Sequence, residues 1–317
     1  MTEPLLRRLH ARGERLTVGA LPWVAPVYRA MPQVAEVLEL PFTHGGVQWA
    51  ARRALARQLR GRFDTAYVCP NSLKSALLPW WAGVPLRVGY HGEGRWLLLN
   101  RRFANPSDAV RPPMVAFYSA LSGESGLSAD RPVLRLNEAK VAAALAKLGL
   151  QGGHYDVLAP GAEFGSAKRW PAPHFSNLAR LLPRPTVLLG SAKESELCAG
   201  IAHDANADSS LRCIDLSGRT TLDQALAVIA GAHALVSNDS GLMHVAAAFG
   251  VPQVAIFGSS SPLHTPPLSD KAQVIWLKTD PAYQPALDCS PCFERTCPLG
   301  HTRCLTDIEP TRVLRSL

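Results

Sequence analysis

What most restricts the fold of this chain is a rhythm. Short apolar runs of strand length alternate with segments of helical period from one end to the other. Residues 16–20 (LTVGA), 34–40 (VAEVLEL), 65–69 (TAYVC) and 86–90 (LRVGY) read as strands, with helical patterns at 47–60 and 72–82 between them. The second half repeats the alternation. Strands are predicted at 155–160, 186–190, 211–217, 233–238, 251–258 and 273–277, and helices at 173–182, 192–203, 221–231 and 241–249. Alternation of this kind implies parallel sheets with helices on both faces. At 317 residues, 47% of them apolar, the chain can bury two cores, and length alone suggests two domains. The stretch NEAKVAAALAKLGL (137–150) has one helical face and ends before Gly-Gly. It is read as the close of a first domain, giving domains 1–150 and 151–317.

One element breaks the rhythm. The helical segment PLLRRLHAR (4–12) has no strand ahead of it, whereas the other helices do. In a doubly wound sheet the first strand is central, and its loss would leave unpaired backbone groups at about 1–3 kcal/mol each. The expectation is that the native product begins upstream of Met1 and that the first strand of the first domain is missing here.

Charge is distributed unevenly. Residues 1–110 carry 14 Arg and one Lys against seven acids, the whole of the net +8, while residues 111–317 carry 18 basic and 18 acidic residues. A basic half calls for an anionic partner: nucleic acid, an acidic membrane surface or a phosphorylated substrate. The plainer reading is a solvated, Arg-rich surface. No apolar run reaches the roughly 18–20 residues that span a bilayer, and residues 1–15 lack the apolar stretch of a secretory signal. The expected location is cytoplasmic.

In open α/β sheets, ligands sit beyond the carboxyl ends of strands, against helix N-termini. The turn SNDSGLMHVAAAFG (237–250) fits that position. A strand ends at Asn238, Asp239, Ser240 and Gly241 follow, and a helix begins. Asp239 and Ser240 either cap that helix or face a ligand; Gly241 would let backbone approach closely; His244 lies one turn in, on the face of Ser240. A second loop, APGAEFGSAKRWP (159–171), is rich in small residues and carries Lys168, a point charge suited to phosphate, but it is not a Walker A motif. Ser259, Ser260 and Ser261 follow the strand at 251–258 and bind phosphate oxygens or, more simply, cap. Thr220 or Thr221 caps the helix at 221–231, with Asp223 in its first turn facing a ribose or the helix dipole.

Taken together, PGAEFGSAKRWP, the run SGRTTLDQALAVIAGAHALVSNDSGLMHVAAAFGVPQVAIFGSSSP and the upstream NSLKSALLPWWAGVPLRVGYHGEGRWLLLN (71–100) resemble the ADP-heptose glycosyltransferases, glycosyltransferase family 9. The resemblance covers nearly the whole chain and keeps the order of its motifs. It implies a GT-B fold, two Rossmann-like doubly wound domains facing a cleft, with acceptor on the N-terminal and nucleotide sugar on the C-terminal domain. The implied donor is ADP-L-glycero-β-D-manno-heptose. The implied acceptor is heptosyl-Kdo-lipid A at the cytoplasmic face of the inner membrane, in lipopolysaccharide inner-core synthesis, with inversion at the anomeric centre and no cofactor for catalysis. By motif, Lys168 matches the lysine on the donor diphosphate, and Asp239, Ser240, Gly241 and His244 match the donor site. Asp223 matches an acidic position near the ribose. Lys74 and Arg95 are acceptor-side candidates, against a reading as ordinary surface charge. The departure is at the amino end: the aspartate that resemblance makes the general base would lie before Met1. Glu3 is the nearest carboxylate, and nothing suits it to substitute. A positioned base contributes about 10²–10⁴ in rate, so a donor-binding protein of impaired turnover stands as an alternative, as does another member of the family with a different acceptor.

Of seven cysteines, four crowd into Cys289-x₂-Cys292-x₄-Cys297-x₆-Cys304, with His301 among them. Reduced thiols in that density suit a structural zinc, less readily an iron–sulfur cluster, or a loop without metal. Cys69, Cys198 and Cys213 read as small buried hydrophobes. Nucleic acid is not an expected partner, because residues 289–304 carry only Arg295 and Arg303 as basic residues, far from the basic excess.

Overall fold

The computed structural model describes residues 1–43, 45–106, 112–124, 130–207 and 212–317. The chain divides into two compact units, Met1–Asp130 and Arg131–Leu317.

In the first unit, every strand read from the sequence is present: β1 (Leu16–Ala20), β2 (Val34–Glu39), β3 (Thr65–Val68) and β4 (Leu86–Tyr90), to which β5 (Arg101–Phe103) adds a short polar strand. All neighbours are parallel, but they form two pieces, β1–β2 and β3–β4–β5. Among the described residues no strand joins the two. The helix Glu3–Ala11 begins this unit, and Leu5 and Leu9, one turn apart on one face, pack with Leu16, Val88, Tyr90 and Leu121. Tyr90 stacks on Phe117 with ring centres 3.9 Å apart. Glu3 is buried at the start of that helix and accepts a hydrogen bond from Gln33 Nε2 at 2.9 Å, a structural role.

The second unit holds one six-stranded parallel sheet. Its strands are β6 (Asp156–Ala159), β7 (Thr186–Leu188), β8 (Cys213–Asp215), β9 (Ala234–Asn238), β10 (Gln253–Phe257) and β11 (Ala272–Trp276). The order across the sheet is β11-β10-β9-β6-β7-β8. Chain direction across the sheet therefore reverses between β6 and β9, which are hydrogen-bonded neighbours with Ala159 opposite Ser237. Strands β6, β7, β9 and β10 are buried along their whole length, as expected for strands covered on both faces. The core joins Leu158, Val236, Val254 and Ile256 of the sheet to Phe175 and Leu178 of the helix Ala172–Leu181, and to Leu305, Ile308 and Val313 near the chain end. Cys198 and Cys213 are buried in this unit as read, and burial pushes the Cys198 thiol up to about 12; Cys69 is half-buried in the first.

One boundary differs from the reading at 150. The helix Glu138–Lys147 packs on the helix Leu222–Ala230, and its Leu145 lies against Gly231, so it belongs to the second unit. Its apolar face was legible; the partner of that face was not.

A candidate donor-binding site at the carboxyl edge of the second unit

The reversal between β6 and β9 marks where an open α/β sheet holds its ligand. The two loops singled out in the sequence leave the sheet at this point: the small-residue loop from the end of β6, and Asp239–Gly241 from the end of β9. Asn238 ties them together. Fully buried, its amide nitrogen donates to Pro160 O at 2.8 Å and its Oδ1 accepts from Trp170 N at 2.9 Å. Sequence reasoning gave Asn238 no role; an amide side chain closing a strand that opens Ala-Leu-Val was the signal.

Lys168 ends a short turn, Ser166–Lys168, and its Nζ donates to Asp239 Oδ2 at 2.6 Å. The other oxygen of Asp239, which is buried, accepts from Thr265 Oγ1 at 3.2 Å. Asp239 thus spends both oxygens inside the protein and holds the lysine in place. Lys168 keeps donors to spare, since an ammonium has three, and it sits 5.3 Å from the centre of the Phe164 ring.

The helix Gly241–Phe249 starts here with Ser240 at its N-cap, but no side-chain cap is made. Ser240 Oγ is buried with no hydrogen-bond partner, and so are Ser259 Oγ and Ser260 Oγ just beyond β10. The capping alternative therefore fails for Ser240, Ser259 and Ser260. Ser261 does not cap a helix either: its hydroxyl accepts from Leu263 N at 3.2 Å and closes a turn. Native proteins rarely leave buried hydroxyls unmade, and such groups ask for a partner. Gly241 is exposed with nothing within 4 Å of where a Cβ would lie. No protein group crowds it, so the space over this helix end is open to a ligand. His244 stands one turn in and half-buried; burial lowers its pKa, with Asp239 opposing and Lys168 adding, so the imidazole is neutral at pH 7.

Two glycines of the β6 loop are explained by close approach. A Cβ on Gly161 would fall 1.7 Å from Glu194 Oε1, and one on Gly165 would fall 2.2 Å from Arg295 O. Thr221, not Thr220, caps the next helix: its Oγ1 accepts from Gln224 N at 3.3 Å, and Thr221 N donates to Gln224 Oε1 at 2.9 Å. Asp223 is exposed in that first turn, beyond β8 and two strands from the β6–β9 reversal.

The acceptor-side candidates fare differently. Lys74 is half-buried and donates to Gly45 O at 2.9 Å. Arg95 needs correcting on both its readings, since it is 1% exposed and so is neither surface charge nor free for a ligand. Its guanidinium donates to Tyr90 O at 3.0 and 2.6 Å, to Asn71 Oδ1 at 2.8 Å, to Ser75 Oγ at 3.5 Å and to Pro70 O. It is a brace between the loops that follow β3 and β4.

The four clustered cysteines line a single cavity of about 20 Å³, beside Ala167, Gly258 and Ser259. The segment that carries them touches both site loops. Arg295 O accepts from Ala167 N at 3.1 Å and Phe293 N donates to Ser259 O at 2.7 Å.

Residues 52–303 match the family model for glycosyltransferase family 9 (heptosyltransferase). The chain belongs to glycosyltransferase family 9. Among relatives of this family, lipopolysaccharide heptosyltransferase 2 of Escherichia coli is 40% identical, the match covering 100% of this chain and 93% of that one. Lipooligosaccharide heptosyltransferase 2 of Haemophilus influenzae is 40% identical over 83% of this chain and 80% of its own. The solved structure of the E. coli ADP-heptose lipopolysaccharide heptosyltransferase II superposes with a TM-score of 0.83 at 38% identity, covering 99% of this chain and 92% of that one. The family 9 chain is accordingly a glycosyltransferase of the GT-B fold class, as the sequence motifs implied. Lys168, Asp239, Ser240, Gly241 and His244 all fall within the matched span.

Proposed function

We propose that this family 9 enzyme transfers L-glycero-D-manno-heptose from ADP-heptose to heptosyl-Kdo-lipid A, inverting the anomeric centre, in lipopolysaccharide inner-core synthesis. The observation that carries the donor half is the set of unpartnered buried hydroxyls, Ser240, Ser259 and Ser260, set with the Lys168 ammonium around one open helix N-terminus. The names of the relatives supply the heptose and the lipopolysaccharide acceptor.

In this reading the diphosphate lies over Gly241 and takes the free N–H groups of the first turn, where the helix field favours negative charge. Lys168 neutralises the charge that builds on the departing ADP, and Asp239 fixes the lysine beforehand, so no reorganisation is needed as the bond breaks. His244, neutral, offers a hydrogen bond without adding charge. Asp223 takes the ribose side. Lys74 remains the acceptor-side candidate, with Arg95 supporting the loops around it.

We further infer work at the cytoplasmic face of the inner membrane, held peripherally. No helix among the described residues is long and apolar enough to cross a membrane. The basic excess lies in residues 1–110, and Trp23, Trp49, Trp80 and Trp96 of the same unit are each about half exposed or more, at 64, 53, 45 and 58%. Arginine beside exposed tryptophan suits an anionic lipid interface.

The test is transfer of radiolabelled heptose from ADP-heptose, offered in parallel to heptosyl-Kdo-lipid A and to Kdo-lipid A without heptose. Label on the first alone is expected. Label on the second alone, or on neither while ADP still binds, would overturn the proposal.

A further inference from the structure

We propose that Cys289, Cys292, Cys297 and Cys304 bind one divalent, thiolate-preferring metal ion, zinc or ferrous iron, and that this ion braces the loop carrying Lys168. The second half rests on the donor-site reading above; the first does not.

Four cysteines from one short segment line one cavity, which is unusual for a loop that packs without metal. Its volume of about 20 Å³ is enough for a single ion- or water-sized body. His301, which lies between Cys297 and Cys304 in the chain, lines the same cavity. The backbone supports the same reading. Phe293 (φ 58°) and Thr302 (φ 47°) are both left-handed, a conformation costly for side-chain-bearing residues and kept only where something holds the loop.

As the side chains stand, no three ligating groups among the described residues already surround one point. Each cysteine sulfur can be re-aimed by rotation about its own side-chain bond, between staggered rotamers. Binding replaces four S–H bonds by four metal–sulfur bonds at about 2.3 Å and releases up to four protons, and the dication removes the repulsion that separates the thiolates.

The brace follows from three contacts of this segment. Arg295 O receives Ala167 N at 3.1 Å, one residue before Lys168. Gly165 lies so close to Arg295 that a Cβ would meet its carbonyl at 2.2 Å. On the other side, Ser290 Oγ donates to Gly258 O at 2.8 Å and Phe293 N donates to Ser259 O at 2.7 Å. Fixing the cysteine segment fixes both loops against which the diphosphate would lie.

The experiment begins with elemental analysis of the full chain purified without chelators, then reconstituted with zinc and, separately, with cobalt(II). One metal ion per chain is expected, with intense sulfur-to-cobalt charge-transfer absorption in the near ultraviolet. Cys292→Ser/Cys297→Ser should lose both, while Cys69→Ser, outside the cavity, keeps both. A metal-free wild type after reconstitution, or equal metal in Cys292→Ser/Cys297→Ser, overturns the site; visible absorption of an iron–sulfur cluster overturns the single ion. Calorimetry with ADP then tests the brace. Removing the metal should weaken ADP binding several-fold, and unchanged affinity in the stripped protein overturns that half alone.

Discussion

The hydroxyl of Ser240 is buried and has no partner, so its replacement by alanine removes no hydrogen bond from the free protein. If Ser240 were a cap, Ser240→Ala would cost about 1 kcal/mol of stability. As a ligand group it costs none: thermal melting should be unchanged, while ADP affinity falls by about 0.5–1.5 kcal/mol. A lower melting temperature with unchanged affinity would return the residue to the capping role. Arg95 is the opposite case. Arg95→Met strips partners from the carbonyls of Tyr90 and Pro70 and from Asn71, and should destabilise the protein by about 3 kcal/mol in denaturant unfolding. An unchanged unfolding midpoint with a raised acceptor KM would restore it as a ligand residue. These two residues show what the sequence could and could not tell. The position of Asp239, Ser240 and Gly241 was legible because a strand-to-helix turn places them at a helix end whatever the tertiary context. The burial of Arg95 was not, because it depends on two loops folding back together from separate strands.

At the scale of elements, the apolar strands announced themselves, because a strand covered on both faces must be apolar throughout. Strand β5, Arg-Arg-Phe, carries no such signal and forms by pairing with β4. The helix Glu138–Lys147 was legible as a helix yet placed in the wrong unit, since an amphipathic face does not name its partner. The β6 loop takes its shape from one such unseen contact, the Glu194 carboxylate over Gly161. Glu194 Oε2 also accepts from Ser191 N at 2.7 Å and from Ser191 Oγ at 3.0 Å, closing the turn Ala192–Glu194. Gly161→Ala must push that carboxylate out and should cost about 1–3 kcal/mol in stability. Combined with Glu194→Ala, the loss should be smaller than the two single losses added. Strict additivity in this cycle would show that the contact does not shape the loop.

Across the whole molecule, the division of charge matches the division into units. The first unit carries +7 of the net +8 and the half-exposed tryptophans; the second carries only +1 and the candidate donor site. Binding to vesicles of phosphatidylglycerol should therefore be tight at low salt and weaken as salt rises, and Trp49→Ser/Trp80→Ser should reduce it. Equal binding to neutral phosphatidylcholine vesicles, or no binding to either, would contradict a lipid-facing role for that surface.

The central claim is that Lys168, clamped by Asp239 above the open helix end at Gly241, holds the diphosphate of a nucleotide sugar. Calorimetric titration of ADP into the wild type, Lys168→Arg and Lys168→Met tests it most directly, with melting temperature recorded for each. The account predicts one site in the wild type and a loss of about 10–100-fold in affinity for Lys168→Met, the worth of one charge-assisted hydrogen bond, with Lys168→Arg between them. A folded Lys168→Met that binds ADP as tightly as the wild type would contradict it.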